Sequence, residues 1–161
     1  MIDKKALTNA LAKAPDKVKL TGKLKITLNG KVVREVDNLV TTVGKEFIAS
    51  RMQGVVDGVM THMAIGTGTT AADVADTTLE TEITRQTLAT SGGTVSGAVI
   101  TFERTFAADD PDITAPAVSA VTEAGIFNHA SAGDMLAHTV FTVVNKAETD
   151  TMTISWAITV S

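Results

Sequence analysis

The residue types that could do chemistry in this chain are few, and their spacing does not favour it. The three histidines, His62, His129 and His138, form neither an H-x-x-H nor an H-E-x-x-H pair, and the chain has no cysteine. Structural and catalytic zinc sites depend on such ligand sets, so a metal site would require convergence in three dimensions. The abundant Ser and Thr residues include no G-x-S-x-G nucleophile elbow. The sequence therefore predicts neither an enzyme nor a resident metal.

Two further stretches could hold ligands but lack the necessary surroundings. Gly66-Thr67-Gly68 is half of a nucleotide fingerprint, yet residues 69–78 lack apolar helical periodicity and contain two Asp that would repel phosphate. Asp109, Asp110 and Asp112 could coordinate Ca²⁺, but their loop lacks the glycine and terminal Glu of an EF-hand. We interpret the first stretch as a flexible strand exit and the second as a solvated acidic loop, and expect no cofactor.

The most distinctive feature of the chain is its uneven distribution of charge. Nine of the 14 Lys and Arg residues lie in residues 1–34, opposed there by Asp3 and Asp16 alone, which gives this segment about +7 and the remainder about −11. Opposite fields on two parts of a chain favour docking on a partner. Nucleic acid is the weaker alternative, because residues 1–46 contain no aromatic side chain for base stacking and the acidic body would repel a polyanion.

Residues 1–20 are predicted to form an N-terminal arm that docks on an acidic surface. Residues 3–14 have the spacing of a short amphipathic helix, with Asp3 as its N-cap and Pro15 after its last residue. A helix this short is marginal alone in water, so we expect it to lie against another surface. The predicted docking residues are the basic and apolar side chains of this arm: Lys4, Lys5, Leu7, Leu11, Lys13, Lys17 and Lys19.

A β-hairpin is predicted after the short helix. Residues 23–28 and 31–36 each have a polar and apolar pattern, and Asn29-Gly30 between them favours a type I′ turn. We interpret Lys23 and Lys25, on the first strand of this hairpin, as charges that guard the edge of a sheet.

Residues 21–161 are predicted to form a single β-rich domain. Thr42 can cap a helix over residues 43–54, and beyond residue 60 the pattern is of strands separated by small polar loops. The last strand alternates throughout residues 151–161 and places Trp156 in the core. The predicted fold class is mainly β: an antiparallel β-sandwich, jelly-roll-like, with an N-terminal arm of short helix plus hairpin and one further helix. No run approaches the ~20 apolar residues of a membrane span, and the charged start is not that of a signal peptide.

Several stretches together, in their order and spacing, resemble small virion structural proteins of tailed bacteriophages. The stretches are NLVT (38–41) with GKEFIA (44–49), MAIGTGTT (63–70), LETE (79–82) with Arg85, TEAGIFN (122–128), MLA (135–137) with VF (140–141), and DTMTI (150–154) with Trp156. The resemblance runs from residue 38 to residue 160, about three quarters of the chain, and leaves out the first 37 residues.

Among virion parts, the chain looks most like a capsid decoration (cement) protein. The resemblance implies a non-enzymatic protein, made in the bacterial host cytoplasm, that lies on the outer capsid surface as a homotrimer and clamps neighbouring major capsid protein subunits. It supplies no catalytic residue to carry over. From the residues themselves we also expect no cofactor, no nucleic-acid partner and no membrane partner. A tail, collar or tail-fibre component is the alternative it leaves open, and a carbohydrate- or metal-binding β domain is a third hypothesis.

Overall fold

The computed structural model describes residues 17–54, 58–108 and 118–161, which form nine strands and one helix. In chain order these are β1 (Leu20–Leu28), β2 (Lys31–Val40), α1 (Thr42–Met52), β3 (His62–Gly66), β4 (Glu82–Thr87), β5 (Thr94–Ser96), β6 (Val99–Phe106), β7 (Val118–Phe127), β8 (Met135–Ala147) and β9 (Met152–Val160). Neighbouring strands are antiparallel and make one sheet in the order β4-β3-β7-β8-β2-β1-β9-β6-β5. In these three ranges, no helix has the length and apolar character needed to cross a membrane.

The sheet is curled so that its two halves share one hydrophobic core. Leu24 and Trp156, from the β1–β9 half, belong to the same buried cluster as Ile65 and Ile126, from the β3–β7 half. Edge strand β4 also contacts the other half of the sheet, since Arg104 on β6, next to the opposite edge strand, donates a hydrogen bond of 3.2 Å to the carbonyl of Thr87 on β4. The mainly-β prediction is confirmed, with the two facing layers formed by a single sheet.

The predicted hairpin is present, but it belongs to the body. Asn29 and Gly30 have φ angles of 49° and 81°, as a type I′ turn requires. Strand β1 pairs with β2 on one side and with β9 along its whole length on the other. The interpretation of Lys23 and Lys25 as edge guards is therefore wrong: both lie on the exposed face of an interior strand.

The predicted helix is also present, with its start one residue earlier. Thr41, rather than Thr42, is the N-cap, and its hydroxyl accepts a hydrogen bond of 2.9 Å from the amide of Gly44. The same hydroxyl donates to the carbonyl of Met135, which fastens the start of α1 to strand β8. Because a buried polar group needs partners, this double use explains why Thr41 is fully buried.

A bulge separates the two parts of strand β8 and is closed by an arginine from β2. Val121 of β7 pairs with Val144, but Glu123, two residues on, pairs with Val140, so β8 carries two additional residues there. Arg34 donates hydrogen bonds of 3.0 and 3.1 Å to the carbonyls of Thr142 and Val143 in this bulge. Bulges bend strands and redirect side chains. Glu123, on the neighbouring strand β7, is the first residue that pairs with β8 on one side of this bulge.

Candidate functional site

The residues predicted to dock a partner fall into two groups. Lys4, Lys5, Leu7, Leu11 and Lys13 lie outside the described residues, as does the helix predicted over residues 3–14. Lys17 and Lys19 are described and exposed. Lys19 extends the β1–β9 ladder, since its amide donates to the carbonyl of Ser161 at 2.6 Å and its carbonyl accepts from the Ser161 amide at 2.9 Å. The N-terminal segment therefore joins the body next to the end of β9.

The lysines of the hairpin are balanced by acidic neighbours on the same face. Lys23 is directly opposite Asp37, and Lys25 is directly opposite Glu35, in the register of β1 and β2. All four side chains are exposed, and opposite charges in facing cross-strand positions stabilise a sheet modestly. The charges of Lys23 and Lys25 are thus offset across the strands. Among the other described cations of the basic segment, Lys17, Lys19, Lys31 and Arg34 have no carboxylate in a facing strand position.

An apolar groove lies beside this junction, between α1 and the sheet. Its volume is about 200 Å³, and its walls include Leu20, Phe47, Ile48, Phe102, Leu136 and Ile158. Val160 lies at its rim with 44% of its surface exposed. The Arg51 guanidinium stacks on the Phe47 ring at 4.6 Å from its centroid. The groove is thus an apolar surface that faces solvent at the point where the N-terminal segment meets the body.

A second site, in the opposite half of the sheet, is a carboxylate with no solvent exposure. Glu123 on β7 is 0% exposed. Its Oε1 accepts hydrogen bonds from the amides of Gly68 (2.9 Å) and Thr81 (2.8 Å), and its Oε2 accepts from the amide of Glu80 (3.0 Å). These donors come from both ends of the loop between β3 and β4, so one side chain holds the loop closed.

His138 on β8 connects Glu123 to a second carboxylate. Its Nε2 lies 3.2 Å from Oε2 of Glu123, and its Nδ1 lies 2.8 Å from Oδ2 of Asp76. A neutral imidazole carries one N–H and can donate to one acceptor, whereas an imidazolium donates from both nitrogens. Two carboxylate partners therefore make the imidazolium the form in which both contacts are hydrogen bonds. The His138 side chain is buried, with 3% of its surface exposed.

The pKa of Asp76 is lowered by its contacts. Desolvation by burial pushes this pKa up, but hydrogen bonds from the Asp73 amide and from His138, together with the charge of His138, outweigh it. Asp76 therefore stays ionised to more acid pH in the folded chain than in the unfolded chain, which ties the middle of the β3–β4 loop to strand β8.

This network contains the residue types of an acid–base site, but its hydrogen bonds hold the β3–β4 loop against strands β7 and β8. Both oxygens of Glu123 are occupied by backbone amides, and each nitrogen of His138 faces a carboxylate. Among the described residues, no group of three or more His, Asp or Glu is placed to hold a metal ion. The acidic stretch with Asp109, Asp110 and Asp112 lies outside those residues. The arrangement can order a loop.

The glycine-rich stretch before this loop is a strand exit, as predicted, but it is held by hydrogen bonds at Gly68 rather than flexible. Gly66 ends β3, as expected of a strand exit. The amide of Gly68, which in a phosphate-binding loop would face an anion, instead donates to the carboxylate of Glu123. A Cβ on Gly68 would lie 2.6 Å from the Cβ of Glu80 and 2.7 Å from the carboxyl carbon of Glu123, so both neighbours exclude a side chain there.

Substitution of Asp76 by asparagine is expected to destabilise the protein by about 1–2 kcal/mol at neutral pH, since a charge-assisted hydrogen bond becomes neutral. The loss should shrink in acid. A carboxyl whose folded pKa is depressed contributes stability above its unfolded pKa, and this contribution disappears as pH falls through the folded pKa. Urea denaturation of both proteins between pH 7 and pH 3 measures the difference. A constant difference over that range would contradict the assignment.

Comparison of the chain with models of protein families, with curated proteins and with solved structures gave no match. The function proposed below therefore rests on the residues and contacts of this chain and on the resemblance of its sequence stretches to virion proteins.

Proposed function

We propose that the protein is a non-enzymatic structural protein of a tailed-bacteriophage virion, which decorates the capsid shell and stabilises it. In this role the β body lies on the outer capsid surface as a homotrimer. The basic N-terminal arm docks on an acidic surface of the major capsid protein and clamps neighbouring subunits together. The protein is made in the cytoplasm of the bacterial host.

The observation that carries this proposal is the position of the unbalanced positive charge. The lysines of β1 have acidic partners in register, whereas Lys17 and Lys19 are exposed and belong to none of the ion pairs formed among the described residues. Lys4, Lys5 and Lys13 precede them in the sequence, so residues 1–19 carry five lysines against Asp3 and Asp16, while the rest of the chain is acidic. Complementary charge steers a docking partner and fixes its orientation.

The body has the properties that support such an arm. It is a single sheet around one core, and its loop between β3 and β4 is fixed by a buried carboxylate. A rigid body with an adhesive segment suits a lattice, where many weak contacts repeated on a symmetric shell reinforce one another. The alternative location is the tail, collar or fibre. Cryo-electron microscopy of the virion separates the two, with density at threefold or quasi-threefold shell positions expected and density confined to the tail contradicting the capsid role.

The arm can be tested by removing charge from it and, as a matched control, the same charge from the hairpin. Substitution of Lys13, Lys17 and Lys19 by glutamine should weaken binding to shells assembled without the protein by roughly threefold to a hundredfold, because three exposed charge pairs at 0.2–1 kcal/mol each sum to ~0.6–3 kcal/mol. Binding of the variant should also depend less on salt. Cosedimentation with shells at several salt concentrations measures both effects.

The control replaces Lys23, Lys25 and Lys31 by glutamine and changes the net charge by the same amount. We expect it to bind shells nearly as well as the unaltered protein, because Lys23 and Lys25 already face Asp37 and Glu35. Equal losses in the two variants would show that net charge alone governs binding. Undiminished binding by the arm variant would rule out the arm as the docking contact.

A further inference from the structure

The apolar groove between α1 and the sheet is large enough to hold apolar side chains. Its walls are almost entirely hydrocarbon, and its volume of about 200 Å³ exceeds the ~150 Å³ of an engineered apolar cavity that binds benzene. Val160, which lines it, is 44% exposed, and Met52 at the C-terminal end of α1 is 90% exposed. Large exposed apolar patches mark interaction sites.

The chain enters the described body at this groove. Leu20, the first residue of β1, is part of the groove wall. The hydrogen bonds between Lys19 and Ser161 continue the ladder by one residue, and strand side chains alternate between faces. Val18 therefore shares the inner face with Leu20, Leu24 and Ile26, although 78% of its surface is exposed. The N-terminal segment thus reaches the body from the side on which the groove opens.

The 16 residues before Lys17 contain an apolar stripe of matching character. Leu7, Ala10, Leu11 and Ala14 repeat at intervals of three and four residues, which places them on one face of a helix. At 3.6 residues per turn, Lys5 and Lys13 fall away from that face. Leu20 follows Leu11 by nine positions. With residues 11–14 helical and the remaining six steps extended, the chain can span up to ~25 Å, so the stripe is within reach of the groove in the same chain.

We propose that the groove is the docking site for the apolar stripe of residues 7–14 of the same chain. Leu7 and Leu11 fill it, while Lys5 and Lys13 remain directed to solvent, where they can meet an acidic partner. Burial of the two leucines stabilises an arm helix that is too short to persist alone. This inference does not depend on the capsid role, since the contact is made within the isolated protein.

Cross-linking tests the contact directly, because the chain has no native cysteine. The full-length variant with Ala10→Cys and Val160→Cys places one thiol on the stripe and one at the groove rim. A short bismaleimide should convert most of it to an internally linked monomer, at a yield independent of protein concentration. Intact mass and gel mobility distinguish this product from a covalent dimer.

The control pairs Ala10→Cys with Val32→Cys. Val32 is exposed and pairs with Thr27, seven residues along β1 from Leu20 and so roughly 23 Å away. We expect severalfold less internal product from this pair. Equal yields would mean that the arm does not prefer the groove, and dimers that increase with concentration would assign the groove to a second copy. Either result overturns the proposal.

An apolar fluorescent dye supplies a measurement without cysteines. Full-length protein with Leu7→Ser and Leu11→Ser should bind the dye with severalfold higher fluorescence, because the vacated groove becomes accessible. The matched variant with Lys5→Ser and Lys13→Ser should behave as the unaltered protein does. Equal dye binding by all three proteins would overturn the proposal. If the unaltered protein failed to bind shells while the Ala10→Cys, Val160→Cys variant still cross-linked internally, only the capsid role would be contradicted.

Discussion

Substitution of Glu123 by alanine is expected to lower the free energy of unfolding by about 3–5 kcal/mol, the cost typical of removing one member of a buried charge network. The carboxylate accepts from the amides of Gly68, Glu80 and Thr81. Without it, three backbone donors and one nitrogen of His138 lose their acceptor, and the amide of Gly68 and the His138 side chain are buried away from water. A buried donor left unsatisfied carries its full desolvation cost.

The effect should be local as well as global. Hydrogen exchange at the amides of Gly68 and Thr81 should accelerate in the Glu123→Ala protein beyond what global destabilisation explains, since opening of the β3–β4 loop no longer breaks those bonds. Urea denaturation gives the global term. Glu123→Gln, which keeps the volume and one carbonyl acceptor, should retain part of the stability.

Glu80, a carboxylate within the β3–β4 loop itself, provides a comparison with Glu123. Glu80 accepts from the amides of Thr69 and Thr70 and from the Thr70 hydroxyl, and these bonds lower the pKa of Glu80. It is exposed, so water replaces its lost contacts. Glu80→Gln should therefore cost clearly less than Glu123→Ala. Equal costs, or a negligible cost for Glu123→Ala, would show that the buried carboxylate does not hold the loop.

The parts of the fold that local sequence patterns determine were predictable. The Asn29-Gly30 turn needs two residues with positive φ and is surrounded by alternating strands, so its hairpin is encoded within a dozen residues. The alternation around Trp156 likewise places that side chain in the core, where its Nε1 donates to Asn38 at 2.8 Å.

The parts that depend on distant pairing were not predictable. Strand β1 was interpreted as an edge because nothing near Lys23 shows that residues 152–160 would pair with it. Glu123 and His138 lie in strands whose local sequence pattern does not show whether these two side chains are buried and hydrogen-bonded or exposed to solvent. Their geometry depends on a bulge that β8 acquires through its register with β7. A Glu flanked by the apolar run 124–127 was the one available signal, since a carboxylate among buried positions requires donors.

Substitution of Gly44 by alanine is expected to destabilise the protein, which is the reverse of the usual effect in a helix. Alanine is favoured over glycine within a helix by about 1 kcal/mol. In α1, however, a Cβ on Gly44 would lie 2.8 Å from the Cα and the carbonyl carbon of Leu136 and closer still to the carbonyl oxygen. These are backbone atoms of β8, which cannot rotate away. We expect a net loss of about 1–3 kcal/mol, as in other overpacked sites.

The opposite substitution on the exposed side of α1 is the control for this prediction. Ala49 is exposed, so Ala49→Gly should cost about 1 kcal/mol through helix propensity alone. Thermal and urea denaturation of both variants then separates propensity from packing: if propensity dominated at residue 44, Gly44→Ala would stabilise the protein.

Because the carbonyl of Leu136 also accepts from the Thr41 amide, the clash would loosen the capped start of α1 and widen the groove that α1 forms with the sheet. The close approach at Gly44 and the hydrogen bonds of Thr41 therefore act together to fix α1, and with it the apolar groove, against the body.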